Sequence, residues 1–231
     1  MMSLFPFAGQ SRFPARLLTA SLAAALALGT AGIPPFAAPL ASLAHAQQAS
    51  AGVDDAARAL RGISTLRADF TQIDREGRRA TGTMTLKRPG KIRFDYGEDS
   101  DFLVVSNGKS LYVVDYEVKQ VERYPVKRSP LGALLDPSRD VRKYGKLVPA
   151  LRDDVLSIEV RDPSRPEFGV ITMIFVKNSR APGGWELNSW VALDAQNHRT
   201  TVRLSNHRYG LSVAESTFDF DDPRRSSRRP R

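Results

Sequence analysis

Side chains able to do acid–base or nucleophilic chemistry are few in this chain and poorly placed for it. Of its three histidines, His45 sits beside an apolar leader, and His198 and His207 fall near expected hairpin ends, far from any serine-centred elbow. No G-x-S-x-G, H-E-x-x-H or phosphate-loop motif occurs. The acid pairs Asp153–Asp154 and Asp221–Asp222 are adjacent in sequence, so on a strand they point to opposite faces, and at turns they are solvated. Cysteine is absent. That removes a disulfide framework, thiolate metal ligands and lipid attachment to the chain itself. The site checklist yields no catalytic residue, no metal ligand and no cofactor, and an enzyme is not expected.

Binding chemistry has more to work with. Residues 82–96 read as two alternating strands around an Arg88-Pro89-Gly90 turn, with Met84 and Leu86 on one face of the first and Ile92, Phe94 and Tyr96 on one face of the second. Extending the period-two pattern gives an apolar set of Phe70, Met84, Leu86, Ile92, Phe94, Phe102, Val104, Val113, Ile171, Met173, Phe175, Trp190, Val202, Leu204 and Phe218. A sheet that curves without filling its interior would turn such a face into a site for an apolar ligand. Periodicity reads the same for a filled core and for a lined cavity.

The elements that would hold this face follow from turn signals and spacing. Val53, Ala56, Ala57, Leu60 and Ile63 predict a short helix over 53–62, opened by Asp54 and Asp55 and closed by Gly62. Strands are expected near 66–74, 79–87, 91–96, 101–106, 110–116 and 118–124, then near 154–161, 168–177, 184–193, 198–205 and 212–220. Between the two groups, Leu131, Leu134 and Leu135 mark a short apolar helix, capped by Ser129, started by Pro130 and stopped by Pro137. A second short helix is drawn over 138–146. The fold class is therefore mainly β: a sandwich or barrel of about eleven strands with an N-terminal helix and a small helical insertion placed to cover one open face.

The ends carry other signals. Arg12 and Arg16 precede an apolar run over 17–33, and Ala44-His45-Ala46 is a small-x-small cleavage site, the order of a secretory signal peptide. A short membrane anchor is the alternative. Cleavage after Ala46 leaves 185 of the 231 residues and takes the formal net charge from +9 to +7. The expected division is 1–46 signal peptide, 47–222 one folded domain, and 223–231 a basic, solvated tail with Arg224, Arg225, Arg228, Arg229 and Arg231. Export and the scatter of charge along the strands argue against a nucleic-acid partner.

The run Lys87-Arg88-Pro89-Gly90-Lys91-Ile92-Arg93-Phe94-Asp95-Tyr96 resembles the periplasmic outer-membrane lipoprotein carriers, the LolA family. Phe70-Thr71-Gln72 is similar to the family's F-x-Q, residues 105–112 to its second hairpin, and Ser129-Pro130-Leu131 with Leu134-Leu135 to its central lid segment. Phe94 stands where the family usually has Trp, and Asn107 where it has Asp. The resemblance implies an open antiparallel half-barrel with a helical lid on its concave face and no catalytic activity. It implies that Phe70, Met84, Leu86, Ile92, Phe94, Phe102, Val104, Val113, Met173, Phe175 and Trp190 line an acyl-chain cavity. It also implies that Arg88 holds a lid of Leu131, Leu134 and Leu135 shut through lid backbone carbonyls. The implied partners are acylated lipoproteins, an inner-membrane ATP-driven release complex, and an outer-membrane receptor or that membrane itself, with the carrier a periplasmic monomer. A carrier or sensor of another lipid or glycolipid on the same fold is the alternative.

Overall fold

A computed structural model of the chain describes residues 38–97, 100–129 and 131–224. The leader up to residue 37 and the arginines beyond Arg224 lie outside the described residues. Helix α1 (Ala38–Gly62) contains the expected helix but starts earlier, so the expected cleavage point falls within it. Its second half turns Ala56, Ala57, Ala59 and Leu60 inward, with Ile63 just past its end. Arg58 and Arg61 stay exposed. Small alanines on the inner stripe let the helix lie close against the sheet.

Eleven strands follow: β1 (Thr65–Ile73), β2 (Arg79–Lys87), β3 (Lys91–Asp95), β4 (Phe102–Asn107), β5 (Ser110–Asp115), β6 (Gln120–Pro125), β7 (Gly145–Val148), β8 (Val155–Arg161), β9 (Val170–Lys177), β10 (Trp185–Leu193) and β11 (Arg199–Tyr209). They form one antiparallel sheet in the order β6-β5-β4-β3-β2-β1-β11-β10-β9-β8-β7. The sheet is open: β6 and β7 are its two edges, yet they are consecutive in the chain. Their connection, residues 126–144, therefore has to cross from one edge to the other. It does so as a 3-10 turn (Val126–Arg128), α2 (Leu131–Leu135) and α3 (Pro137–Tyr144). Topology alone thus places a cover over the opening.

Register carries the side-chain pattern across the sheet. Ala68, Met84, Phe94, Val104 and Val113 are successive partners from β1 to β5. Gln72, Val202, Trp190, Met173 and Ile158 are successive partners from β1 through β11 to β8. Both rows face the concave side and are buried. Register shifts between Arg67 and Asp69, and between Leu187 and Ser189, interrupt the ladder. Such bulges increase local bend and twist, which helps a wide sheet curl.

Two expectations need correction. The strand drawn over 212–220 is not one: β11 runs on through Tyr209, past the end expected near residue 205, and both of its sides are occupied by β1 and β10. The following chain instead crosses the convex face as a strap. Thr65 Oγ1 donates to Leu211 O (2.9 Å), Lys87 Nζ to Val213 O (2.6 Å), and Arg224 Nη1 reaches Val121 O (3.5 Å). Phe218 accordingly sits not with the concave set but in a second cluster with Leu103, Val105 and Val114. The eleventh strand is the four-residue β7, within the stretch drawn partly as helix.

Candidate functional site

The eleven residues singled out for the interior come together on the concave face. Ten are buried there, and Phe102 is half-buried against the same cluster. Their aromatic members meet edge to face: Phe70–Phe94 at 5.3 Å, Phe70–Tyr96 at 5.1 Å, Tyr96–Phe102 at 5.4 Å and Phe94–Trp190 at 6.1 Å between centroids. These geometries match the ring quadrupoles. Polar atoms punctuate this surface. Tyr96 donates its hydroxyl to Gln72 Oε1 (2.9 Å), and burial holds its phenol protonated above the ordinary range. Trp190 Nε1 and the Tyr209 hydroxyl are buried without a hydrogen-bond partner.

Helix α2 covers the interior. Leu131, Leu134 and Leu135 are at most 2% exposed and belong to the same cluster as the strand residues. Val126 and Val141 flank them, also buried. The concave face is a packed core of which the α2 leucines are part. Ser129, expected to cap α2, instead donates its hydroxyl back to Val126 O (3.0 Å).

Arg88 ties α2 to the sheet. Its backbone N–H donates to Ser64 O (2.9 Å), while Nη1 donates to Leu135 O (2.6 Å) and Nη2 to Leu134 O (2.9 Å). These carbonyls close α2, where helix geometry leaves acceptors without intrahelical donors and the dipole favours a cation. Nε is buried with no partner. Burial draws the guanidinium pKa down to about 10, opposed by the charge of Asp136.

The post carrying Arg88 is fixed from several directions. Gly90 has φ 74° and packs on the neighbouring turn, where a Cβ would come within 2.8 Å of Gly108 O. Ser106 Oγ donates to Gly90 O (2.8 Å). On the convex side, Lys87 and Lys91 both pair with Glu215 of the strap, holding its carboxyl down at about 2.

Sequence comparison assigns this arrangement. The family "Outer membrane lipoprotein carrier protein LolA" matches residues 61–221. This chain belongs to the LolA family. An outer-membrane lipoprotein carrier protein of Chromobacterium violaceum is 30% identical over 197 residues, covering 81% of this chain and 91% of its own. One of Methylobacillus flagellatus is 27% identical over 180 residues, covering 74% and 85%. A solved LolA superfamily protein of Nitrosomonas europaea aligns over 74% of this chain and 97% of its own at 11% identity and a TM-score of 0.43, too loose a likeness to argue from. The family is one of carriers, not of enzymes.

Both departures from the family pattern keep their local job. Phe94 fills the interior as a ring would, fully buried. Asn107 Oδ1 accepts the backbone N–H groups of Lys109 and Ser110 (3.1 Å each), as an aspartate would. The histidines are tied locally: His198 Nδ1 lies 3.0 Å from Asp194 Oδ2, and His207 Nε2 lies 2.9 Å from Leu187 O. Among the described residues no cluster of three or more potential metal ligands forms.

Sequence reasoning missed two features. One is the strap, whose sign was the unbroken apolar run Phe102-Leu103-Val104-Val105: a strand buried on both faces loses its alternation. The other is a charged cleft of about 580 Å³ at the rim beside the lid, lined by Arg61, Arg88, Lys127, Lys143 and Arg165 among others. Its residues come from five separate segments with no shared periodicity.

Proposed function

We propose that this chain carries outer-membrane lipoproteins through the periplasm, sheltering their acyl chains on the concave face while the lid stands open. The observation that carries the reading is the nature of the cover. Three leucines are inserted among the strand side chains, and their helix is fastened to the sheet through the two bonds from Arg88 to its carbonyls. Withdrawing three leucines costs roughly 1.5–3 kcal/mol each, so roughly 5–9 kcal/mol in all. Each buried methylene is worth about 0.8 kcal/mol, so about 6–11 methylenes offset it. One long acyl chain supplies that many. The lid therefore stays packed on the strands without cargo and yields to a lipidated cargo.

In this reading Phe70, Met84, Leu86, Ile92, Phe94, Phe102, Val104, Val113, Met173, Phe175 and Trp190 meet the acyl chains, and Arg88 is the latch. The leader directs export and is removed. Among the described residues no helix is long and apolar enough to cross a membrane. Cargo arrives from an ATP-driven release complex in the inner membrane and leaves to an outer-membrane receptor or the membrane itself, with the carrier acting as a monomer. Native mass spectrometry of the protein isolated from periplasm tests this. Acylated protein bound one to one is expected; a bare glycolipid in its place would overturn the reading.

A further inference from the structure

Among the described residues, the buried side-chain polar atoms without a hydrogen-bond partner are Arg88 Nε, Trp190 Nε1 and the Tyr209 hydroxyl, and each can donate. Two of them have a local account. Arg88 is otherwise engaged with α2, and Tyr209 lies at the end of β11, near enough to Glu186 to feel its charge. Trp190 has no such account. It stands within β10, paired with Val202 of β11 on one side and Met173 of β9 on the other, and is 0% exposed. Its indole therefore lies in the apolar interior, with the Phe94 ring beside it. An N–H buried there without an acceptor is costly, and a phenyl ring would fill much of the same space without that cost. Elsewhere the same interior pairs its polar atoms, as the Tyr96 hydroxyl does with Gln72 Oε1 (2.9 Å). Indole is a donor only, so the partner it lacks is an acceptor.

We propose that Trp190 Nε1–H donates to the carbonyl oxygen of a cargo acyl group, so that the interior selects acyl linkages and not apolar chains alone. The inference rests on the carrier reading, which brings acyl groups to this face. Every acyl chain is joined through a carbonyl, as an ester or as an amide. An ester brings acceptors and no donor, so it satisfies the indole without burying a second unpaired N–H; an amide brings its own N–H with it.

The test uses the chain without its leader and three synthetic peptides, each bearing one chain of equal length joined as an ester, an amide or an ether. Affinity is read by displacement of an environment-sensitive apolar fluorophore. The ether is the more apolar linkage, so an interior without a donor would favour it. With Trp190 present, the ester peptide should instead bind about five- to tenfold tighter than the ether peptide, and in Trp190→Phe that ratio should fall to about one or below. A second readout keeps the wild-type ring. The chain has two tryptophans, so Trp185→Phe assigns the indole N–H resonances in NMR. That of Trp190 should move downfield with the ester peptide and stay in place with the ether peptide. If the amide peptide gives the preference and the shift in place of the ester, the carbonyl at Trp190 is an amide's. Equal binding of all three linkages, a preference that persists in Trp190→Phe, or a Trp190 resonance that moves alike with ester and ether overturns the inference and leaves the carrier reading intact. Displacement by none of the peptides would overturn the carrier reading and this inference with it.

Discussion

Replacing Arg88 with Leu removes the two donors that hold Leu134 O and Leu135 O while keeping much of the apolar stem. Hydrogen bonds to a charged group contribute about 1.5–3 kcal/mol each, roughly 3–6 kcal/mol together. Against this stands the buried Nε without an acceptor, which costs about 1–3 kcal/mol. The net latch strength is then about 2 kcal/mol. A pKa drawn down to about 10 agrees: burial outweighs Asp136, so the charged form is held at some cost. At about 1.4 kcal/mol per tenfold, Arg88→Leu raises the open population roughly 30-fold.

Hydrogen exchange of residues 126–144 reads that population directly, because local opening limits exchange there. Their amides should exchange roughly 30-fold faster in the variant, while those of β1, β2 and β11 stay unchanged. Apparent affinity for an apolar ligand rises as the competent fraction rises, so the variant should also bind a fluorophore more tightly. Cargo should load and then pass on slowly. Unchanged exchange over 126–144 together with unchanged fluorophore affinity would refute the reasoning: the lid would then be held by its leucines alone.

Phe94→Ala should lower thermal stability by about 3–5 kcal/mol and reduce uptake of the apolar fluorophore; unaltered uptake would make Phe94 core only. Phe218→Ala should cost a similar amount in urea unfolding and expose the strap to proteolysis beyond residue 210, since it removes the ring anchoring the convex cluster. Glu215 has its carboxyl held below the ordinary value by Lys87 and Lys91, so its contribution is present above pH about 4.5 and is lost as pH falls toward about 2. The stability difference between the native chain and Glu215→Gln should vanish across that window, and also in high salt. A double-mutant cycle of Arg88→Leu with Glu215→Gln, read by exchange over 126–144, should be non-additive; strict additivity would show that strap and lid act independently.

Much of this architecture could be read from residues alone, and the failures have physical causes. The hairpin of β2 and β3 was legible because Met84, Leu86, Ile92 and Phe94 alternate with polar residues and a Pro-Gly turn fixes their phase. The strap was read as a strand because Phe218 and Phe220 keep period two. Spacing carries no information about whether a sheet has an edge left to pair with, and β11 has none. Strand β7 was missed because four residues give too few alternations to count. In the site, the apolar set was visible as a pattern, whereas Arg88 on its own reads as an exposed turn residue. Only the family resemblance singled it out, and only the fold brings residue 88 to carbonyls 46 and 47 positions away. The cleft was not legible at all, since charge on loops has no period.

In the proposed mechanism, the turn between β2 and β3 lets so modest a latch govern the lid. A bond of about 2 kcal/mol resists opening only if its post does not move with the lid. Here the post is pinned on the inner side by Arg88 N–H to Ser64 O, laterally by Ser106 to Gly90 O, and on the outer side by the pairing of Lys87 and Lys91 with Glu215. The two lysines bracket Arg88 in sequence, so the strap grips the convex side of the same turn that grips the lid on the concave side. The two covers of the sheet are thereby joined through four residues. Loosening the strap would let the turn follow the lid outward, spending little of the latch energy at the carbonyls. On that proposal the lid's closing strength belongs to the strap–turn–lid chain rather than to Arg88 by itself.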